Sequence, residues 1–305
     1  MTKITIICGP TACGKTPAAV QLAKAAGGEV ISADSMQIYR GMDIGTAKAT
    51  PAEMQGVPHH LIDELWPNEA YNVAIFARRA ADLIADIAAR GKMPIICGGT
   101  GFYINALLYG ANFDTSGDSD RDTALRAHFE GIAASHGAGC LHDLLREVDS
   151  ASADAIPPNN VKRVVRALEY HKIYGRPISA HNAALRTSDA AYDAQIFVLH
   201  SERAAMYDRI NKRVDKMLGM GLVSEVEALL SAGYSPRLTS MQGLGYKEIV
   251  KYLQRDCTLD EAVNAIKQGT RRFAKRQVTW FKHQLPCAEW VDVGQITNYE
   301  LRVTN

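Results

Sequence analysis

Residues 9–16, Gly-Pro-Thr-Ala-Cys-Gly-Lys-Thr, fit the pattern G-x-x-x-x-G-K-[ST]. An apolar, β-rich run (Ile4-Thr5-Ile6-Ile7-Cys8) precedes them and a helix-forming run (Pro17 to Lys24) follows. A strand and a helix joined by such a loop leave few options for the fold. The glycines let the backbone curl so that successive N–H groups face an anion, and the helix N-terminus adds partial positive charge. Lys15 then reaches the outer phosphate, and the Thr16 hydroxyl holds a magnesium ion. Pro17 is unusual but tolerable, because a first-turn residue has no intrahelical acceptor for its N–H. The competing reading, a glycine-rich turn that matches by chance, has to ignore both flanking elements. The chain is therefore expected to grip a phosphate or pyrophosphate with Gly9, Pro10, Thr11, Ala12, Cys13, Gly14, Lys15 and Thr16. Cys13 is either a reactive thiol or, as preferred here, a small residue in a Ser or Ala position.

With 305 residues, the chain can form one large domain or two modest ones around a proper core. Its apolar and charged shares, 47% and 22%, are those of an ordinary soluble globular protein. There is no apolar run of the ~18 residues that a membrane helix needs, so no membrane partner is expected. The N-terminus opens straight into a strand, with no leader pattern. Six scattered cysteines lack C-x-x-C spacing, which argues against zinc and for reduced thiols in the cytoplasm. The net charge of +1 hides an asymmetry. Residues 1–160 carry 12 Lys+Arg against 18 Asp+Glu, and residues 161–305 carry 22 against 15. A basic second half suits a polyanionic partner, although basic faces are often only solvated.

Two further strands are expected, Glu29–Ala33 running into Asp34 and Met93–Cys97 running into Gly98-Gly99-Thr100-Gly101. Between them Val73, Phe76, Ala80, Leu83, Ile84 and Ile87 recur at helical steps, and Gly91 ends the pattern. Such βαβ order predicts an α/β chain: a P-loop NTPase-like parallel sheet flanked by helices, with a mainly helical insertion domain. Ligands of such sheets collect beyond the carboxyl ends of the strands, where the phosphate loop, Asp34 and the Gly98–Gly101 turn all fall. From Asp114 to Asp122 the sequence is polar, acidic and aperiodic, which reads as a boundary. Residues 123 to about 185 look helical, broken at Pro157-Pro158-Asn159-Asn160 and Gly175-Arg176-Pro177, and Gln195–Leu199 resumes the sheet. The expected division is a core of 1–113 and 193–305 and an insertion of 114–192. Helices are expected to dominate from Glu202 on. The last long one has Val263, Ile266, Phe273 and Trp280 as its inward stripe, and six cations but no acid between Ile266 and Gln284.

Several long motifs occur in a fixed order. After the phosphate loop come Asp34 to Lys48 (DSMQIYRGMDIGTAK), Val57 to Asp63 (VPHHLID) and Gly98 to Tyr103 (GGTGFY). Gln242 to Glu248 (QGLGYKE) and Thr270 to Gln277 (TRRFAKRQ) complete the set. Together they resemble the tRNA dimethylallyltransferase family, bacterial type, from the first strand to about Trp280. That family moves a five-carbon prenyl group from dimethylallyl diphosphate to the exocyclic amine of the adenosine beside the anticodon. Cys13 and Pro17 depart from the residues common there, and no zinc-finger tail of the kind some eukaryotic members carry is expected.

The chemistry of the residues can be asked separately. A phosphate-loop kinase usually places a second carboxylate at a neighbouring strand end to position magnesium. Here the strand ending at Cys97 offers Gly98-Gly99-Thr100, which suits an anion better, and only Asp34 is a strand-end carboxylate. Ionising an allylic diphosphate requires stabilising the departing pyrophosphate; aimed N–H groups, Lys15, Mg2+ and Thr100 can do so. The delocalised amine of adenine needs a carboxylate to orient it and take its proton. Asp34 as base and Asp34 as helix N-cap are equal readings of the residues alone, and the resemblance selects the base. The resemblance also implies Arg213 as a fixed cation across from Asp34, and Thr100 and Arg126 facing the nucleic acid. For tRNA it implies three contact stretches. Asp34, Ser35, Met36 and Gln37 would meet the target base; Lys162, Arg163, Val164, Val165 and Arg166 would grip backbone phosphates; Gln242, Gly243, Leu244, Gly245, Tyr246 and Lys247 would form a loop reaching unpaired bases. Lys162 to Arg166 also fits a plain amphipathic helix with Val164, Val165 and Leu168 buried.

The partners implied are the tRNA anticodon stem-loop and dimethylallyl diphosphate, with Mg2+ as cofactor, and the chain is read as a monomer. Three alternatives stand beside this. One is a sibling that prenylates free adenine nucleotides, which the basic second half and the insertion disfavour. Another is an ATP-dependent phosphate-loop kinase or switch. The third is an RNA-binding module with a vestigial nucleotide loop.

Overall fold

The structure is a computed structural model that describes residues 1–109, 119–186 and 190–292. Its first strand, β1 (Lys3–Cys8), is buried from its second residue on, as an interior parallel strand covered on both faces must be. It leads through the phosphate loop into α1 (Lys15–Ala26), whose N-cap Gly14 takes the left-handed conformation (φ 78°, ψ 25°). Pro17 is the third residue of that helix, inside the first turn where its missing N–H costs little. Then follow β2 (Glu29–Ser32), α2 (Pro51–Met54), β3 (His59–His60), α3 (Val73–Ala89), β4 (Pro94–Gly98) and α4 (Gly101–Leu108). After these come α5 (Ser119–Val148), α6 (Ser150–Ala155), α7 (Val161–Tyr174) and α8 (Ile178–Arg186). The chain continues as β5 (Asp193–His200), α9 (Arg203–Gly219), α10 (Leu222–Ser231), α11 (Tyr246–Leu253), α12 (Leu259–Gln284) and β6 (Glu289–Asp292).

All strand pairings are parallel, and the sheet order is β3-β2-β4-β1-β5-β6. β3 and β6, the two edge strands, are additions to the strands expected from sequence; at two and four residues each is too short to show a period. Cys8 pairs with Gly98 and with Val198, and Ser32 pairs with Cys97. The chain thus leaves β1, β2, β4 and β5 at one level, and the loops that follow lie side by side. Beneath them Ile7, Val20, Leu22, Val30, Ile95, Phe197 and Leu199 form an apolar core between sheet and α1.

Contacts divide the chain into two units, one of residues up to Leu108 together with the chain from Ala190, the other from Tyr109 to Asp189. The expected boundary stretch at Asp114–Asp122 lies largely outside the described residues. In the second unit, α5 kinks at Gly137 (φ 86°, ψ 160°). Leu141 and Leu145 of α5 pack on Val164, Val165 and Leu168 of α7. Buried Asp149 ties the unit together by accepting from the backbone and hydroxyl of both Ser152 and Ser179. Among the described residues no helix is long and apolar enough to cross a membrane.

The inward face of α12 differs from the expected stripe. Ala262, Ile266, Ala274, Gln277 and Phe281 are buried, whereas Phe273 is 37% exposed with the Arg276 guanidinium over its ring. The core positions are 262, 266, 274, 277 and 281, a set that takes in polar Gln277 and passes over Phe273, which a count of apolar residues alone does not anticipate; Trp280 of the expected stripe is half-buried against Gly101.

Candidate active site

The phosphate loop departs from β1 at Gly9 (φ 146°), where a Cβ would stand 2.4 Å from the carbonyl oxygen of Leu199; only glycine fits there. Ala12 and Gly14 are also left-handed, the alternation that turns N–H groups toward an anion. The Lys15 ammonium donates to the carbonyls of Gly9 (3.1 Å) and Pro10 (2.8 Å), so its charge sits within the loop. Cys13 is 1% exposed and belongs to the apolar core, which fits the small-residue reading of that position. Burial also holds the neighbouring thiols protonated: the Cys97 pKa is pushed up to about 12, mainly by desolvation, against the pull of Lys15.

Asp34 follows β2. Its Oδ1 accepts from the backbone N–H of Met36 (2.9 Å) and of Gln37 (3.4 Å). No helix starts there, so Asp34 caps a turn and not a helix, and its other carboxylate oxygen is left for a different partner. Thr100 sits beside it: Thr100 Oγ1 accepts from Ser35 N–H (3.3 Å), and Thr100 N–H donates to the Ala33 carbonyl (3.2 Å). A Cβ on Gly98 would stand 2.2 Å from that same Ala33 oxygen, so the exits of β2 and β4 touch backbone to backbone. The Thr100 amide is therefore occupied. What it offers a ligand is its hydroxyl.

Arg213 reaches the same place from α9. Its Nη1 lies 3.4 Å from Thr11 Oγ1, where it can donate a hydrogen bond. Burial lowers the pKa of its guanidinium, and the charge of Asp34 is the largest effect opposing that shift. The loop, the Arg213 cation, the Asp34 carboxylate and the Thr100 hydroxyl are thus neighbours, linked by the bonds of Thr11 to Arg213, of Gln277 to Thr11 and Gly99, and of Ser35 to Thr100.

Three side chains hold these parts in place without having been singled out from sequence. Buried Gln277 on α12 accepts from Thr11 N–H (2.9 Å) and donates to the Gly99 carbonyl (2.9 Å). Arg209 on α9 donates to the Ala12 carbonyl (3.0 Å) and bonds to Ser201 Oγ. Glu225 on α10 accepts from the N–H groups of Asp43 (2.9 Å), Ile44 (2.7 Å) and Gly45 (3.1 Å) and from the Tyr246 hydroxyl (2.7 Å). Each bonds to main-chain atoms of a distant loop, which no residue pattern announces. A glutamate with an apolar helical neighbourhood (Leu222, Val226, Leu229) is the only local signal at 225.

The expected nucleic-acid contacts divide by burial. Of the stretch Gln242–Lys247, Gln242 is exposed and Lys247 half-buried, whereas Gly245 is buried and Tyr246 is 1% exposed beneath Gly45. Tyr246 and Gly245 are thus support for the Asp34–Lys48 segment and not a surface for bases, a correction to the expected loop. In the second unit Lys162, Arg163 and Arg166 lie on the outer face of α7, but Val164 and Val165 are 0% and 2% exposed. Those two valines are core residues, because a helix that buries Leu168 necessarily buries the positions three and four residues before it. Arg126 pairs through two nitrogens with buried Glu169 (2.8 and 3.0 Å), so its guanidinium is held at the surface in a fixed direction. On α12, Lys267 and Arg271 are tied to Asp215 and Asn211 of α9. Arg272, Lys275, Arg276 and Lys282 point outward and form no ion pair with a described residue, alongside half-buried Trp280.

Known proteins resemble this chain over nearly its whole length. The sequence profile of the IPP transferase family matches residues 37–284. A tRNA dimethylallyltransferase of Lachnoclostridium phytofermentans is 51% identical over 284 residues, covering 93% of this chain and 90% of that one. Its counterpart in Geobacillus thermodenitrificans is 46% identical and covers 99% and 94%. Among solved structures, the tRNA isopentenylpyrophosphate transferase of Bacillus halodurans superposes with a TM-score of 0.71 at 44% identity, covering 96% of this chain and 90% of that one. A eukaryotic dimethylallyltransferase acting on tRNA gives 0.81 at 26% identity, covering 99% and 77%.

Proposed function

The chain belongs to the IPP transferase family, and from that membership we propose that it transfers a dimethylallyl group from dimethylallyl diphosphate to tRNA, at the exocyclic amine of the adenosine 3′-adjacent to the anticodon, releasing diphosphate. The observation that carries this reading is the meeting of Asp34, Thr100 and Arg213 at the mouth of an anion-binding loop.

In the proposed reaction the amine nitrogen forms a bond to the allylic carbon while the bond from that carbon to the diphosphate oxygen breaks. The Asp34 oxygen not engaged by Met36 and Gln37 accepts a hydrogen bond from the amine, aims its lone pair and takes its proton as positive charge builds on nitrogen. Negative charge grows on the leaving diphosphate, where Lys15, the loop N–H groups and Arg213 already stand; charges fixed in advance need not reorganise as the bond breaks. The Thr100 hydroxyl can donate to either substrate from beside Asp34. Among the described residues no group of three His, Cys, Asp or Glu could hold a metal. That suits Mg2+ shared with a substrate phosphate and not caged by protein: Thr16 would be its ligand from this chain, and the ion would neutralise charge on the diphosphate.

The outward cations Lys162, Arg163 and Arg166 of the second unit, and Arg272, Lys275 and Arg276 of the first, are the proposed phosphate contacts for the anticodon stem-loop. The test is incubation with labelled dimethylallyl diphosphate and unmodified tRNA, followed by nucleoside analysis. Label on the adenosine beside the anticodon is expected. Robust ATP hydrolysis or phosphoryl transfer with no prenyl transfer would favour the kinase alternative instead.

A further inference from the structure

We propose that Gln277 is a positioning residue for the transfer, fixing the diphosphate loop and the Thr100 turn at one separation; this rests on the reaction proposed above. Its side-chain amide is 7% exposed and bridges the two loops directly, with 2.9 Å to Thr11 N and 2.9 Å to the Gly99 carbonyl oxygen. One partner is a donor and the other an acceptor, and a side-chain amide, in one of its two orientations, satisfies both without having to change protonation state. The fit is tight: a Cβ on Gly99 would stand 2.5 Å from Gln277 Nε2, and one on Gly101 would stand 2.2 Å from the Trp280 ring, one helical step further along α12.

The bridge has a chemical consequence. Thr11 is the third residue of the loop, yet its N–H is spent on Gln277 and its hydroxyl faces Arg213, so the anion-facing amides begin after it. Thr11 carries the phosphate side of the site and Gly99 adjoins Thr100 on the acceptor side. Gln277 therefore sets the distance between leaving group and attacking amine while touching neither. A displacement of about an ångström in such a geometry is enough to slow a reaction severely.

The experiment uses the full chain with Gln277→Met, which keeps length and removes both hydrogen bonds, and Gln277→Glu, which keeps the acceptor for Thr11 and turns a second oxygen on the Gly99 carbonyl. Inorganic diphosphate binding by calorimetry is expected to weaken about fivefold or more in both, and kcat to fall about tenfold or more, with affinity for anticodon stem-loop RNA within about twofold of the original. The kcat of Gln277→Glu is expected to recover in part, relative to the unsubstituted enzyme, as pH is lowered and the carboxyl regains a proton to donate. A residue with a merely structural part would lower thermal stability and the fraction of active molecules, yet leave diphosphate affinity and kcat per active site unchanged. That outcome in either folded variant overturns the proposal. Failure of the unsubstituted chain to transfer any prenyl group would count against the reaction itself, and the diphosphate comparison then judges Gln277 alone.

Discussion

Glu225→Ala is expected to destabilise the sheet-containing unit by about 3–5 kcal/mol. The estimate follows from what the carboxylate holds. Four donors converge on it, three of them consecutive main-chain N–H groups of the segment that begins at Asp34. Asp43 N–H is exposed and can turn to water, so its loss is nearly free. The N–H groups of Ile44 and Gly45 are half-buried, and Tyr246 is 1% exposed, so its hydroxyl has no solvent to fall back on. An orphaned buried donor costs about 1–3 kcal/mol, and a bond to a charged acceptor is worth about 1.5–3 kcal/mol. Tyr246→Phe removes only the hydroxyl and leaves Glu225 its other donors; it should cost about 1 kcal/mol. In the double variant no hydroxyl is stranded, so the combined loss should fall short of the sum by about 1–2 kcal/mol. Equilibrium urea unfolding followed by tryptophan fluorescence measures all of this, because Trp66, Trp280 and Trp290 all lie in that unit. A Glu225→Ala variant within about 1 kcal/mol of the original, or losses that simply add, would refute the clamp.

Glu29 provides a test in pH. Its carboxylate is buried among Arg90 (2.5 and 2.8 Å), Lys92 (2.7 Å) and His60 Nε2 (2.8 Å), and the bonds from Arg90 above all hold its pKa far below the ordinary 4.5. Because the folded value lies under the unfolded one, the stabilisation is full above 4.5 and drains away as pH falls toward the depressed value. Glu29→Gln should cost about 1.5–3 kcal/mol at neutral pH, because the cations it leaves are open to water, and the gap to the original should narrow in acid; an equal gap by urea unfolding at both pH values would contradict this. Replacing Lys162, Arg163 and Arg166 by Gln should lower the dependence of log K for tRNA on log salt by roughly 2–3, at roughly 0.7–0.9 for each phosphate left without its cation; an unchanged slope would mean that these cations do not reach the backbone. Asp34→Asn keeps an oxygen to cap the turn at Met36 and Gln37 and removes the base. It should lose roughly 10²–10⁴ in kcat at unchanged tRNA affinity, and near-normal turnover would mean that Asp34 matters only as a cap.

The sheet was legible because its strands are buried and apolar and its helix α3 repeats faithfully. Val30-Ile31, Ile95-Ile96 and Phe197-Val198 are short apolar runs closed by glycine or polar residues, and each became a central strand. The edges were not legible. His59-His60 is a strand only because β2 offers it backbone partners, a tertiary effect without sequence periodicity. The α12 stripe was legible only in part: Ile266 is buried, but Gln277, a polar residue, occupies a core position that a purely apolar count assigns to Phe273.

The site divides along the same line. The loop was legible from its own pattern, and Asp34 and the Gly98–Gly101 turn from their places at strand ends; Asp34 as base and Arg213 across from it came only with the family resemblance. Residues that hold those groups in register bond to main-chain atoms, and every residue has the same main chain. Nothing in a glutamate at 225 or a glutamine at 277 announces that its partners are the amides of Ile44 and Gly45 or the carbonyl of Gly99. The signal lies in the partners, as the absence of a side chain: Gly45, Gly99 and Gly101 are bare because Tyr246, Gln277 and Trp280 occupy the space where their Cβ atoms would go. Glycines grouped in a motif therefore mark two different demands. At Gly14 the demand is a left-handed backbone, and at Gly9 it is that together with room beside the Leu199 carbonyl; at Gly45, Gly99 and Gly101 it is room alone, and substituting alanine there tests packing and not backbone strain.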